Sequence, residues 1–163
     1  MATTVRHSTD RDVGRCTEIV RSLPDHFTDD VPEKVERDLA AHSGWVALRS
    51  GAVVAFAIVD RRSSEAAEVL WIAVDDAERG QGVGSALLDR VMSELADAGV
   101  RVVEVKTLDE SADYEPYIAT RAFWAAHGFL QIDTIDPLPD WPPGNPAAIC
   151  VAALAVSRGP GAR

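Results

Sequence analysis

Gly80, Gly82 and Gly84 put three residues without a Cβ into five positions of the stretch 68–88, EVLWIAVDDAERGQGVGSALL. They stand at the head of an apolar series, Val83, Leu87, Val91 and Leu95, whose spacing predicts a helix over 82–98. The first N–H groups of a helix have no intrahelical acceptor, and bare glycine backbone lets a ligand approach them closely. The chemistry this suits is anion binding. Helix-dipole attraction contributes only about 0.3 to 1 kcal/mol per anionic group, or about 2 when partly buried, so several N–H hydrogen bonds must carry most of the grip. Arg79 adds a permanent positive charge beside them.

The kind of anion is narrowed by what the loop fails to match. A phosphate loop of the NTPase type needs Lys and then Ser or Thr after its last glycine, but Gly84 is followed by Ser85 and Ala86. A dinucleotide fingerprint needs a further glycine where this chain has Ser85 or Leu87. Glu104 lies at about the distance of a ribose ligand, so a nucleotide stays open on spacing alone.

Arg79-x-x-Gly82-x-Gly84, preceded by the strand-like LWIAV and followed by SALLDRVMSEL, resembles the acetyl-coenzyme A signature of the GNAT N-acetyltransferase superfamily, with WAAHGF further along the chain. The resemblance implies an α/β (α+β) fold: a mixed, mostly antiparallel seven-stranded sheet flanked by about four helices and splayed between the central strand and the following parallel strand. It implies acetyl-CoA as co-substrate. Arg79, Gly80, Gln81, Gly82, Val83, Gly84 and Ser85 would then hold the pyrophosphate, and the backbone of Ile72, Ala73 and Val74 would pair with the pantetheine arm.

The elements that must position these residues can be read in order. Residues 3–7 suit a strand, and Thr9-Asp10 caps a helix carrying Val13, Cys16, Ile19, Val20 and Leu23 up to Pro24. A second short helix is expected over 33–41. Strands 45–49 and 53–60 are joined by the turn Ser50-Gly51, and the polar run 61–67 leads into the central strand, 68–74. Gly99 ends the following helix, and a strand over 100–107 gives a parallel pair with a right-handed crossover. A helix from Pro116 to His127 and strands over 129–134 and 147–156 complete the chain, with a proline-rich connection, IDPLPDWPPGNP, between them. A single domain over 3–157 and a short flexible tail at 158–163 are expected.

Acetyl transfer to an amine needs a base, a donor for the carbonyl oxygen and a proton for the departing thiolate. An alkyl ammonium of pKa near 10 is neutral in only about one molecule in a thousand at pH 7, so a carboxylate base is useful. By the resemblance Glu104 is the first candidate; an ordinary solvent-side glutamate is the alternative, with Val103 and Val105 on the opposite face. Asp109 and Glu110 come second. The oxyanion donor would be a backbone N–H at Ala73 or Val74. Many family members carry a tyrosine acid where this chain has Trp124, whose indole cannot supply a proton near neutral pH. Tyr117, Tyr114 or water would have to replace it. The acceptor would meet Asp25, His26, Phe27, Asp29, Asp30 and Trp141, acidic on one side and aromatic on the other.

Length and composition agree with this reading. A chain of 163 residues suits one domain, and a formal charge of −10 disfavours nucleic acid and anionic membranes as partners. Two cysteines far apart make neither a disulfide framework nor a metal-ligand spacing, so no metal is expected. No apolar run reaches the roughly 20 residues of a bilayer span, and MATTVRHSTDRDV has no apolar core, which together point to the cytoplasm. The expected activity is acetyl-CoA-dependent N-acetylation of a small-molecule primary amine by a monomer or homodimer. An acyltransferase for proteins or peptides, and a non-catalytic coenzyme A sensor, stay open.

Overall fold

The computed structural model describes residues 1–155; positions 156 and 157 of the expected domain, and the expected tail at 158–163, lie outside the described residues. The elements are β1 (Thr3–His7), α1 (Val13–Arg21), α2 (Val31–Ala41), β2 (Ser43–Arg49), β3 (Ala52–Arg61), β4 (Ala66–Val74), α3 (Val83–Asp97), β5 (Val102–Leu108), α4 (Ile118–Ala126), β6 (Leu130–Ile135) and β7 (Ala147–Ala153). They follow the order read from the sequence. The strands form a mixed, open sheet in the order β1-β2-β3-β4-β5-β7-β6.

Some ends differ from expectation. Helix α2 opens at Val31 rather than residue 33, because Pro32 sits in its first turn, where a missing N–H costs nothing. Pro116 does not open α4. It lies in a 3-10 turn, Glu115–Tyr117, that precedes the α-helix. Gly99 takes φ +88 and bonds back to Ala96, and Arg101 N–H donates to Glu65, so β5 begins at Val102 instead of residue 100. Strand β7 ends at Ala153, short of residue 156.

The chain forms two compact units, neither continuous in sequence. Unit 1 holds Met1–Arg61 and Val69–Leu95; unit 2 holds Arg62–Glu68 and the described chain from Ala96 onward.

In unit 1, Ser50 (φ 49) and Gly51 (φ 80) are both left-handed, the backbone of a tight hairpin turn whose twist matches its strands. The antiparallel register then sets the two faces. Val46 opposes Phe56, while Trp45 and Ala47 oppose Ala57 and Ala55. Val46, Phe56 and Ile58 pack with Cys16, Ile19 and Val20 of α1 and with Val31 and Val35 of α2. On the other face the buried Trp45 donates its indole N–H to Glu94 of α3 at 2.9 Å. Two buried carboxylates are paired. Asp38 accepts from the Trp71 indole at 2.7 Å. Asp12 accepts two guanidinium hydrogen bonds from Arg6, at 2.8 and 2.9 Å, and the Thr9 N–H at 2.7 Å.

In unit 2, β5 and β7 pair antiparallel, with Val105 opposite Cys150 and Thr107 opposite Ala148. Alternation buries Val103, Val105 and Thr107 on one face and leaves Glu104 and Lys106 on the other. Strand β6, exposed throughout, forms the sheet edge beside β7.

Arg6 and the Thr9 hydrogen bonds hold the Asp12 carboxyl from its ordinary 3.8 down to about 2. A depressed folded value means the stabilisation is complete above the unfolded value and is lost as pH falls through the folded one. Urea unfolding between pH 4 and 2 should therefore fall less steeply in Asp12→Asn than in the wild type. Phe56→Ala, by contrast, should cost about 3–5 kcal/mol at every pH in the range.

Candidate active site

In unit 1 the end of β4 runs directly into the glycine loop. Asp75 accepts the Ala77 N–H at 3.0 Å and so caps the 3-10 turn Asp76–Glu78. Arg15 fixes that turn, reaching Asp75 at 2.5 Å and the Val53 carbonyl at 3.0 Å. Gly80 (φ +72) and Gly82 (φ +80) take left-handed backbone that a side chain would strain, and a Cβ at either would meet nothing within 4 Å. That space is open at the N-terminus of α3. Gly84 is not part of the turn, as the sequence suggested; it lies in the first turn of α3 itself.

The loop is held from below. Arg49, on β2, donates to Glu78 and to the Gln81 side chain, each at 2.5 Å. The Gln81 side chain is therefore a tether, and what Gln81 offers a ligand is backbone. Val83 is almost fully buried, so its contribution to an anion is likewise its N–H, whereas Arg79 is exposed with its guanidinium beside the loop. The arrangement can offer several N–H groups and one cation to a phosphate. Ala73 is buried, with Ile72 and Val74 half-buried beside it on β4.

Of the expected acceptor wall, His26 meets the anion loop: its Nε2 lies 3.4 Å from Arg79 Nη2. Phe27 packs edge-on to Trp71, ring centroids 6.1 Å apart. Asp25, Asp29 and Asp30 are exposed, and hydrogen bonds from Lys34 and Thr28 hold Asp30 down at about 2. Trp141 belongs to unit 2, half-buried in the proline-rich connection, its backbone N–H donating to the Leu138 carbonyl at 3.0 Å.

Unit 2 carries the acid and base candidates. Glu104 is half-buried, and its carboxylate lies 3.4 Å from Lys106 Nζ, which donates to the buried Glu68 at 2.9 Å. Arg62 pairs with the same Glu68 at 2.9 Å. Sequence reasoning missed Lys106 and Glu68; the period of two that puts residues 104 and 106 on one face was the available signal. Asp109 accepts from Ser111 N–H (3.0 Å), Ser111 Oγ (2.6 Å) and Gln131 (2.7 Å), and these hold it at about 2. With its oxygens so engaged it is a turn-capping carboxylate and a feeble base. Burial raises the Tyr117 phenol to about 12, which keeps it protonated at neutral pH and makes it a weaker acid than an ordinary phenol. Trp124 is buried edge-on against Phe129 and Phe123, with centroids 4.9 and 5.2 Å apart. Its role is packing.

Among the described residues no cluster of three or more His, Cys, Asp or Glu side chains could hold a metal ion, and no helix is long and apolar enough to cross a membrane.

Residues 40–131 match the family model described as an acetyltransferase (GNAT) domain. The chain belongs to the GNAT acetyltransferase family. As a GNAT acetyltransferase it is similar in fold to a protein of Desulfovibrio desulfuricans assigned to that family, at 19% identity and TM-score 0.81, covering 94% of this chain and 100% of that one. The ribosomal-protein-S18-alanine N-acetyltransferase of Escherichia coli is 20% identical, TM-score 0.75, with 99% of each chain covered. A GNAT family acetyltransferase from Elizabethkingia anophelis, solved with acetyl-CoA bound, is 17% identical, TM-score 0.69, covering 93% of this chain and 98% of that one. No curated protein is a significant sequence match.

In this GNAT domain Arg49 should govern the order of the glycine loop. Arg49→Met removes both tethers while keeping a long apolar stem, and amide hydrogen exchange at residues 80–84 should quicken by about tenfold, the equivalent of about 1.4 kcal/mol. Exchange in the β2–β3 hairpin core, around Phe56, should not change.

Proposed function

We propose that this GNAT domain transfers the acetyl group of acetyl-CoA to a primary amine of a small molecule, in the cytoplasm, as a monomer or homodimer. The observation that carries the reading is the glycine loop at the N-terminus of α3, where Gly80 and Gly82 are left-handed, a Cβ at either would meet nothing within 4 Å, and Arg79 is exposed beside them. When bound, acetyl-CoA supplies an activated acyl carbon and a thiolate leaving group. The chain's own residues supply the rest. Backbone N–H groups at 79–85 hold the pyrophosphate, and the β4 backbone at Ile72, Ala73 and Val74 aligns the pantetheine arm, with Ala73 or Val74 donating to the carbonyl oxygen.

Glu104, directly or through water, takes the proton that the attacking amine loses as its nitrogen bonds to the acyl carbon. Water, or Tyr117 although burial leaves it a weak acid, returns a proton to the sulfur as the carbon–sulfur bond breaks. Asp109, tied to Ser111 and Gln131, positions the turn after β5 and leaves the base role to Glu104. The acceptor reading rests on the exposed carboxylates of Asp25, Asp29 and Asp30 near His26 and Phe27, in a chain of formal charge −10. Such surroundings favour a cation with an apolar body.

Acetyl-CoA at 100 times its Kd should stabilise the protein by about 2.7 kcal/mol, and free thiol should appear when small primary amines are added but not with peptides of free N-terminus. Thiol release only with peptides would replace the acceptor class; binding without release on any amine would make the domain a coenzyme A sensor. Glu104→Gln should lower kcat by about 10² to 10⁴ while leaving acetyl-CoA affinity unchanged. Equal rates for variant and wild type would remove Glu104 from the reaction.

A further inference from the structure

Unit 2 contains a cavity of ≈ 610 Å³ between one face of α4 and the sheet face formed by β5, β7 and β6. Small residues on both surfaces leave room for it between larger side chains. The β5–β7 register places Thr107, Ala148 and Cys150 on one floor, and Ala122 and Ala125 look across from α4. Its size falls in the range of about 300 to 1,000 Å³ typical of small-molecule sites.

A second observation points to a ligand. Thr107 is only 5% exposed and lines the cavity, yet its Oγ has no protein hydrogen-bond partner. A buried hydroxyl left unpaired costs about 1 to 3 kcal/mol, a penalty that a polar group of a bound molecule would relieve. Above that floor the walls are apolar, Trp124 and Phe129 within, Ile118 (58% exposed) and Leu130 (69%) at the opening. The mouth carries the carboxylates of Glu110 and Asp113. Arg121, the cation of the lining, donates from Nη1 to the Leu108 carbonyl at 3.4 Å.

We propose that this cavity is a binding site for a small amphipathic amine: a ring-sized apolar body between Trp124, Phe129 and Ile118, an ammonium group facing Glu110 and Asp113, and a hydrogen bond to Thr107 Oγ. The site needs no acetyl donor, and it stands whether or not the acetylation chemistry assigned to Glu104 is right. An amine held here is either an acceptor on its way to reaction or a compound that binds without reacting, and the two share the same recognition chemistry.

The test is titration of the full chain, without coenzyme A, with 2-phenylethylamine, followed by the methyl NMR signals of Ile118, Leu130 and Ala148. Phenylacetate serves as the charge-reversed control. Binding should saturate with shifts at all three methyl groups, be at least tenfold weaker for phenylacetate, and weaken about five- to tenfold in Thr107→Val. That variant removes a hydroxyl without partner and should fold as well as the wild type. Ala122→Phe, at an exposed position of α4, should fill the cavity and abolish the shifts while leaving acetyl-CoA affinity unaltered. Adding acetyl-CoA to the amine complex then separates the sources: thiol release marks an acceptor, and its absence with binding retained marks a non-reacting ligand, both of which uphold the site. No shifts at millimolar amine would overturn the proposal, as would equal binding of phenylacetate, unchanged affinity in both variants, or a dimer in which the partner copy covers these methyl groups.

Discussion

The amide groups at the start of α3 are donors that their own helix cannot satisfy, and the rest of the structure depends on keeping them presented. A flexible loop would fold its own side chains or carbonyls over them. Here the loop is fixed at both ends instead. Arg15 holds Asp75 and the turn it caps, and Arg49 holds Glu78 and Gln81 from β2. Between those two arginines, Gly80 and Gly82 take backbone conformations that leave nothing of the protein where their side chains would have been.

The hairpin of unit 1 is the platform for this arrangement. The turn at Ser50 and Gly51 sets the β2–β3 register, and the register puts Phe56 and Ile58 toward α1 and α2 while Trp45 reaches Glu94 on α3. Arg49 stands at the last position of β2, so the turn that sets the register also sets where the tether of the glycine loop begins. Unit 2 organises charge differently. A buried Glu68 draws Arg62 and Lys106 together, and Lys106 in turn lies beside Glu104, so the carboxylate proposed as base is placed by a cation two residues away on the same strand face.

The glycine motif, the element order and the burial of Val103 and Val105 were legible in the sequence because each depends on local chemistry: backbone freedom, periodicity, alternation. What was not legible depends on residues distant in sequence. Gln81 reads as a ligand residue, but Arg49, 32 positions away, turns its side chain into a tether. His26 reads as part of an acceptor wall and lies against Arg79. Asp109 reads as a second candidate base, and the sequence did not show that Ser111 and Gln131 donate hydrogen bonds to it. Helix ends moved for a local reason that was under-read: Pro32 fits inside the first turn of α2, and Pro116 belongs to a 3-10 turn. Trp124 is the instructive departure. Its indole is buried edge-on against Phe129 and Phe123, a packing role that its sequence position alone did not reveal.

The central claim is that backbone N–H groups at the mouth of α3 grip a diphosphate. Titration of ¹⁵N-labelled protein with coenzyme A tests it most directly, read at the amides of Gly82, Val83, Gly84 and Ser85. The account predicts large downfield shifts there, saturating at the Kd found by calorimetry and lost when the ligand is pantetheine, which lacks the diphosphate. Saturable binding of coenzyme A that leaves these four amides unmoved would contradict it.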